Sequence, residues 1–228
     1  MQEFNQLMSS IEKGEYKPFY LLSGTEPYFI DRIEAFITKK ITDESSRSFD
    51  YSLFYGREVE PNQIIESAKR FPLLASHHLL VVREAQYLDK STDLIADYLS
   101  QPQFRTIIVF CYKHKPFDKR KKLYKAAKKV GALLNTKKLY DNQLGHWISQ
   151  RLKSAHFIID SNSLQILLEA LGTDLNKIEK VIDKLKIFLE KGSQITPKLI
   201  EQYIGFSKDY NNFELYKAVA KRDFYQCS

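Results

Sequence analysis

"LLSGTEPYFIDRIEAF", Leu21 to Phe36, is the stretch on which the fold turns. An apolar run ends in Ser23-Gly24-Thr25 and passes into three- and four-residue apolar spacing: Phe29, Ile33, Phe36 or Ile37, and Ile41. Strand, glycine turn and helix in that order are how a phosphate-binding loop begins, because the backbone N–H groups at the helix start converge on an anion. Pro27 suits the first turn of such a helix. The Walker-type pattern Gly-x-x-x-x-Gly-Lys-Ser/Thr, laid from Gly24, puts Phe29 at the second glycine, Ile30 at the lysine and Asp31 at the hydroxyl. Thr25 stays in the turn, but Pro27 removes a donor, and Glu26 and Asp31 bring negative charge to where a triphosphate would sit. A nucleotide site that has lost its residues and an α/β fold that never had one both fit. Either way the expectation is no binding or hydrolysis of ATP and no cofactor.

Working outward, further apolar runs alternate with helical patterns. "PFYLLSG" (Pro18 to Gly24), "FDYSLFYG" (Phe49 to Gly56), "HLLVVRE" (His78 to Glu84), "RTIIVFCY" (Arg105 to Tyr112) and "ALLNT" read as strands. Between them fall helices from Pro27, from Pro61 to about Arg70 with Ile64, Ile65 and Ala68 on one face, from Thr92 to Ser100, and from Asp118 to Val130. Five strands alternating with four helices predict a doubly wound parallel five-stranded sheet over residues 1–139. The third strand ends in Arg83-Glu84, where a magnesium-holding strand would end in Asp-Glu. The fourth ends in Cys111-Tyr112, where related ATPases place a polar γ-phosphate sensor.

Past residue 139 the period becomes helical throughout. Leu144, Trp147, Ile148 and Leu152 form one stripe; Leu164, Leu167, Leu168 and Leu171 form another before Gly172. A third helix carries Leu175, Ile178, Ile182, Leu185 and Leu189, and a fourth starts at Thr196-Pro197, with no strand between them. The last segment, from about Tyr210, opens an apolar pattern and stops, which reads as a fragment of a longer chain or as a frayed tail.

The composition, 228 residues with 43% hydrophobic and 13% aromatic, supplies enough apolar mass for folded cores. No run approaches the roughly 20 apolar residues of a membrane span, so the cytoplasm is the expected compartment. Cys111 and Cys227 form no metal or redox pair, and the histidines, His77 and His78 included, lack metal-ligand spacing, so no metal is expected. The formal charge of +7 is concentrated: Lys113 to Lys138 holds 11 Lys or Arg against Asp118 alone, a local +10 that leaves −3 for the rest.

Two surface elements stand out. In "RFPLLAS", Pro72 ends the preceding helix and pushes Phe71 to extended geometry, leaving Leu73 and Leu74 in a connection where backbone is usually exposed. Packing at the domain edge and contact with a partner are both open for that pair. On the basic helix Leu123, Ala127 and Val130 point inward, while Lys121, Lys122, Lys125, Lys128 and Lys129 fan outward, preceded by Lys119 and Arg120. Few acids lie nearby in sequence, so a solvated face and a contact with DNA phosphates or an acidic partner are both open.

Four blocks in order, "PFYLLSGTEPYFID", "RFPLLASHHLLVVREA", "KPFDKRKKLYKAAKK" and "LGTDLNKIEKVIDKL", with "NNFELYKAVAKRDF" behind them, resemble the delta subunits of the bacterial DNA polymerase III clamp loader. The resemblance implies an AAA+ fold with a degenerate nucleotide site at Gly24, Thr25, Ile30, Asp31 and Arg83. It implies a helical lid over residues 140–208 and the first part of a collar over 209–228. It also implies a protein without catalysis of its own inside a DNA-directed DNA polymerase, a nucleotidyltransferase. Such a subunit binds the beta sliding clamp and opens it, alongside gamma/tau and delta prime subunits and primed DNA. The matching clamp plug falls on Leu73 and Leu74, with Phe71 beside them. Leu74 departs from the aromatic commonly found at the second position. The reading of another class is a stand-alone nucleic-acid-binding adaptor using the Lys113 to Lys138 surface.

Overall fold

The structure, a computed structural model, describes residues 2–204. They divide into two compact units, the first ending at Lys138 and the second beginning at Leu139. The segment from about Tyr210, read above as the opening of an apolar pattern and the first part of a collar, lies outside the described residues.

The first unit runs α1 (Gln2–Glu12), β1 (Phe19–Gly24), α2 (Pro27–Ile41), α3 (Arg47–Asp50), β2 (Tyr51–Tyr55), α4 (Pro61–Ala68) and β3 (His78–Arg83). A 3-10 turn (Ala85–Leu88), α5 (Asp93–Tyr98), β4 (Thr106–Lys113), α6 (Lys122–Val130) and β5 (Ala132–Thr136) complete it. The five strands form one parallel sheet in the order β2-β3-β4-β1-β5. β1, β3 and β4 are apolar through nearly their whole length because both faces are covered. Side chains alternate across the sheet. Phe19, Leu21, Leu80, Val82, Ile108 and Phe110 meet Ile64 and Ala68 of α4, Ile95 of α5, and Leu123 and Ala127 of α6. On the other face α2 lies against β1, β3 and β4 and buries Phe29, Ile33, Ile37 and Ile41, the stripe read from the sequence. The doubly wound sheet is thus present as expected.

Three details differ from the sequence reading. α1 was not foreseen, although Phe4, Leu7 and Ile11 have helical spacing; it packs on α2, with the rings of Phe4 and Phe29 5.0 Å apart. Phe49 and Asp50 belong to α3 and not to the second strand. The basic helix begins at Lys122, leaving Lys119, Arg120 and Lys121 in the preceding turn.

The second unit contains α7 (Asp141–Ser154), β6 (Ile158–Ile159), α8 (Ser161–Leu171), α9 (Leu175–Phe188), β7 (Gln194–Ile195) and α10 (Pro197–Ile204). Leu144, Trp147, Ile148, Leu152, Leu167, Leu171, Ile178, Ile182 and Leu185 are buried together with Ile195 and Ile200. Asp160 caps α8 by accepting from Ser163 N at 2.8 Å, and Asp174 caps α9 through Asn176 N and Lys177 N. The sequence showed no strand here; β6 and β7 form a parallel ladder of two residues each, too short to carry a period-2 signal. Arg151 and Glu179 form a mostly buried ion pair joining α7 to α9.

β1 is where the strand order reverses, with β4 on one side and β5 on the other, so its carboxyl end is the position where α/β sheets receive ligands. Gly24 sits there with φ +133°, and a Cβ would lie 2.1 Å from the carbonyl oxygen of Thr136. Neither backbone can yield. Gly24→Ala should therefore lower the unfolding free energy by about 3 kcal/mol, from backbone strain and overpacking together, as measured by urea denaturation.

Candidate functional site

At the carboxyl rim, the donors that a phosphate loop would present are already engaged. Gly24 N donates to Lys115 O at 3.1 Å and Thr25 N to Thr136 O at 3.0 Å. Glu26 N reaches Thr136 Oγ1 at 3.3 Å, and Tyr28 N is capped by Glu26 Oε1 at 3.2 Å. Pro27 has no N–H to give. β5 therefore closes over the turn from one side, a tertiary feature for which Thr136 gave no signal in sequence.

The residues that stand where the Walker-type pattern and a magnesium-holding strand would place functional groups are themselves built in. Ile30 is buried core. Asp31 pairs with Lys113 from the end of β4. Arg83, at the end of β3, donates through Nε at 2.9 Å and through its terminal nitrogen at 2.6 Å to Oε1 of Glu34, a carboxylate only 5% exposed. That bond is the first cause of the upward shift of the Arg83 pKa. Cys111 Sγ lies 3.6 Å from the other Glu34 oxygen, and burial pushes its thiol well above the usual range. No group of three or more His, Cys, Asp or Glu side chains suited to a metal occurs among the described residues.

The opposite, amino-terminal rim carries the apolar loop. β2, β3 and β4 are adjacent and parallel, with Tyr51 beside Leu79 and His78 beside Thr106. The residues just before each strand must therefore meet: Asp50, the 71–77 connection and Arg105. Pro72 is buried, whereas Phe71, Leu73 and Leu74 are 63%, 69% and 62% exposed. Beneath them the Asp50 carboxylate, 1% exposed, accepts from Leu73 N at 2.6 Å, Leu74 N at 2.6 Å and Ala75 N at 2.5 Å. Burial alone would raise the Asp50 pKa; the N–H groups of Ala75, Leu73 and Leu74 outweigh it, aided by His78, and the net shift is downward. From the other side the Arg105 guanidinium donates to Ser76 O at 3.0 Å and Ala75 O at 3.2 Å. Asp50 and Arg105 escaped the sequence reading because their role depends on which strands are neighbours.

The lysine surface is less bare than its sequence window. Lys121 is only partly exposed and bonds the carbonyl and the carboxylate of Asp89, which also meets Lys115 at 3.3 Å. Lys122 pairs with Asp97 of α5, and Arg120 with Asp118 at 2.8 Å. The compensating acids missing from the window are supplied by the segment that packs beside α6. Partial burial pushes the Asp89 carboxyl up, but Lys121 and Lys115 outweigh it and hold it below its ordinary value. Lys119, Lys125, Lys128 and Lys129 are exposed, with no ion pair among the described residues.

Comparison with known proteins decides the family. The sequence family "DNA polymerase III, delta subunit" matches residues 20–137, just over half of the chain. The chain belongs to that family. It is 25% identical over 222 residues to the DNA polymerase III subunit delta of Bacillus subtilis, covering 93% of this chain and 64% of that protein. The chain thus spans under two thirds of the length of that curated relative. Among solved structures, the Bacillus subtilis DNA clamp loader delta protein superposes with a TM-score of 0.79 at 24% identity, over 98% of this chain and 69% of the other. The fold of this chain is therefore that of the clamp-loader delta protein, with a five-stranded parallel α/β sheet in its first unit. No helix among the described residues is long and apolar enough to cross a membrane.

Arg83→Met leaves the Glu34 carboxylate without its guanidinium and should cost about 2 kcal/mol of stability, part of the usual penalty because Arg83 itself is partly wet. Adding Glu34→Leu should recover most of that loss in a double-mutant cycle read by chemical denaturation.

Proposed function

We propose that this chain acts as the ring-binding subunit of a bacterial clamp loader, gripping a beta sliding clamp with Leu73 and Leu74 and helping to open it. The observation that supports this most is the pair of exposed leucines on a backbone fixed from below. Apolar side chains that face water are ordinary one at a time; Phe71, Leu73 and Leu74 together on a held loop are suited to a partner's apolar pocket. Burying both leucines is worth about 3 to 6 kcal/mol before the costs of association. In this reading residues 1–139 form the clamp-contacting AAA+ domain and 140–208 a lid. Residues 209–228 begin a collar that joins gamma/tau and delta prime subunits, with primed DNA as the complex's substrate.

The subunit takes no part in ATP hydrolysis and needs no cofactor in this reading. The donors of residues 24 to 28 are committed to Lys115, Thr136 and Glu26, and Arg83 stands where a magnesium ligand would be needed. A nucleotide could enter only by breaking several of these bonds at once. Fluorescent ATP with magnesium should show no saturable binding in the micromolar range, and tight binding would overturn this part.

Leu73→Ala with Leu74→Ala should reduce affinity for the cognate clamp at least a hundredfold in a surface-binding assay while the thermal melt stays within a few degrees of wild type. Wild-type affinity in that variant would remove the central claim.

A second reading has its own observation, the free lysines Lys119, Lys125, Lys128 and Lys129 together with exposed Lys137 and Lys138. These favour contact with a DNA backbone or an acidic partner surface. Charge reversal at Lys125, Lys128 and Lys129 should then flatten the salt dependence of DNA binding, whereas a solvated face would leave the slope unchanged.

A further inference from the structure

Leu73 and Leu74 would supply the contact surface, but no part of their own chemistry holds them in place. The loop's backbone does, and its polar groups are gathered inward onto two side chains. Asp50 collects the N–H groups of Leu73, Leu74 and Ala75; Arg105 collects the carbonyls of Ala75 and Ser76. Three consecutive donors can converge on one carboxylate only if the loop is curled around it, and that curl turns the leucine side chains outward. Asp50 is too buried to touch a partner.

We propose that Asp50 is a positioning residue for the ring contact: its carboxylate holds the 73–75 backbone in the bound shape before the partner arrives. Arg105 is its counterpart of opposite charge. The inference rests on the reading of Leu73 and Leu74 as the clamp contact and adds to it a determinant that lies outside the interface. Its physical basis is preorganisation, since a loop already ordered in the free protein loses less conformational entropy on binding. A neutral amide cannot replace the carboxylate fully. Its single carbonyl oxygen accepts at most two of the three N–H groups, and its NH2 meets the third donor with another donor.

The test uses the full chain and its clamp. Asp50→Asn should weaken clamp binding at least tenfold, speed amide hydrogen exchange at Leu73, Leu74 and Ala75, and leave exchange in β1, β3 and β4 unchanged. Arg105→Ala should act in the same direction with a smaller loss. A purely structural role would lower the melting temperature of Asp50→Asn yet leave its clamp affinity within twofold of wild type, and that result, with the loop amides released, overturns the proposal. Should Asp50→Asn fail to fold, Arg105→Ala decides: faster loop exchange with unchanged affinity also overturns it. Wild-type affinity in the double leucine variant sinks the parent reading and this one with it. Loss of binding there, combined with normal binding by Asp50→Asn, sinks only this one.

Discussion

Backbone groups at the ends of a buried parallel sheet must find partners, and in the first unit that requirement governs both rims. Water reaches them poorly, and each orphaned N–H or C=O would cost on the order of 1 to 3 kcal/mol. At the carboxyl rim the chain satisfies the requirement locally: Gly24 N donates to Lys115 O, Thr25 N to Thr136 O and Glu26 N to Thr136 Oγ1, while the ion pairs Arg83–Glu34 and Lys113–Asp31 settle the charged side chains beside them. At the amino rim two charged side chains, Asp50 and Arg105, satisfy it for the connection into β3. One solution closes the position where an ATPase would hold its nucleotide. The other fixes a short loop that exposes Phe71, Leu73 and Leu74.

The two outcomes have a common origin in strand order. Because β1 lies between β4 and β5, the turn after Gly24 is flanked by chain on both sides and can be filled by either a ligand or the neighbouring strand ends. Because β2, β3 and β4 are consecutive, residues 23 to 55 positions apart in sequence stand side by side at the opposite rim, as the spacing of Asp50, Leu73 and Arg105 shows. The sheet therefore separates the filled turn after Gly24 from the exposed leucines by the full length of its strands. A substitution in one rim acts on the other only through the shared core.

That geometry also explains what was legible in the sequence. Periods of two and 3.6 are local, so the five strands, the stripe of α2 and the helices of the second unit could be read from apolar spacing alone. The missing lysine and hydroxyl after Gly24 were legible for the same reason, being fixed offsets within one turn. Asp50 was not: inside "FDYSLFYG" it resembles a polar residue at the start of a strand, and its three bonds go to residues more than twenty positions away. The lysine cluster misled in the complementary way. Its charge count was correct, but Asp89 and Asp97 reach Lys121 and Lys122 only after α5 and α6 pack together. β6 and β7, at two residues each, lie below the length at which a strand announces itself.

What distinguishes the leucine pair from ordinary surface hydrophobics is then a matter of where polar atoms point. A flexible loop exposing Leu73 and Leu74 would gain from collapsing onto the nearby sheet edge, since apolar burial is worth roughly 1.5 to 3 kcal/mol per leucine. Collapse is opposed here because turning the side chains inward would pull the amides of residues 73 to 75 off a buried carboxylate, leaving that charge unpaired at a cost of several kcal/mol. The electrostatic penalty for rearranging is of the same order as the hydrophobic gain, and with the loop's order it opposes collapse of the leucines onto the sheet. A buried charge, usually a weak contributor to stability, thereby acts as a device that keeps an apolar surface available.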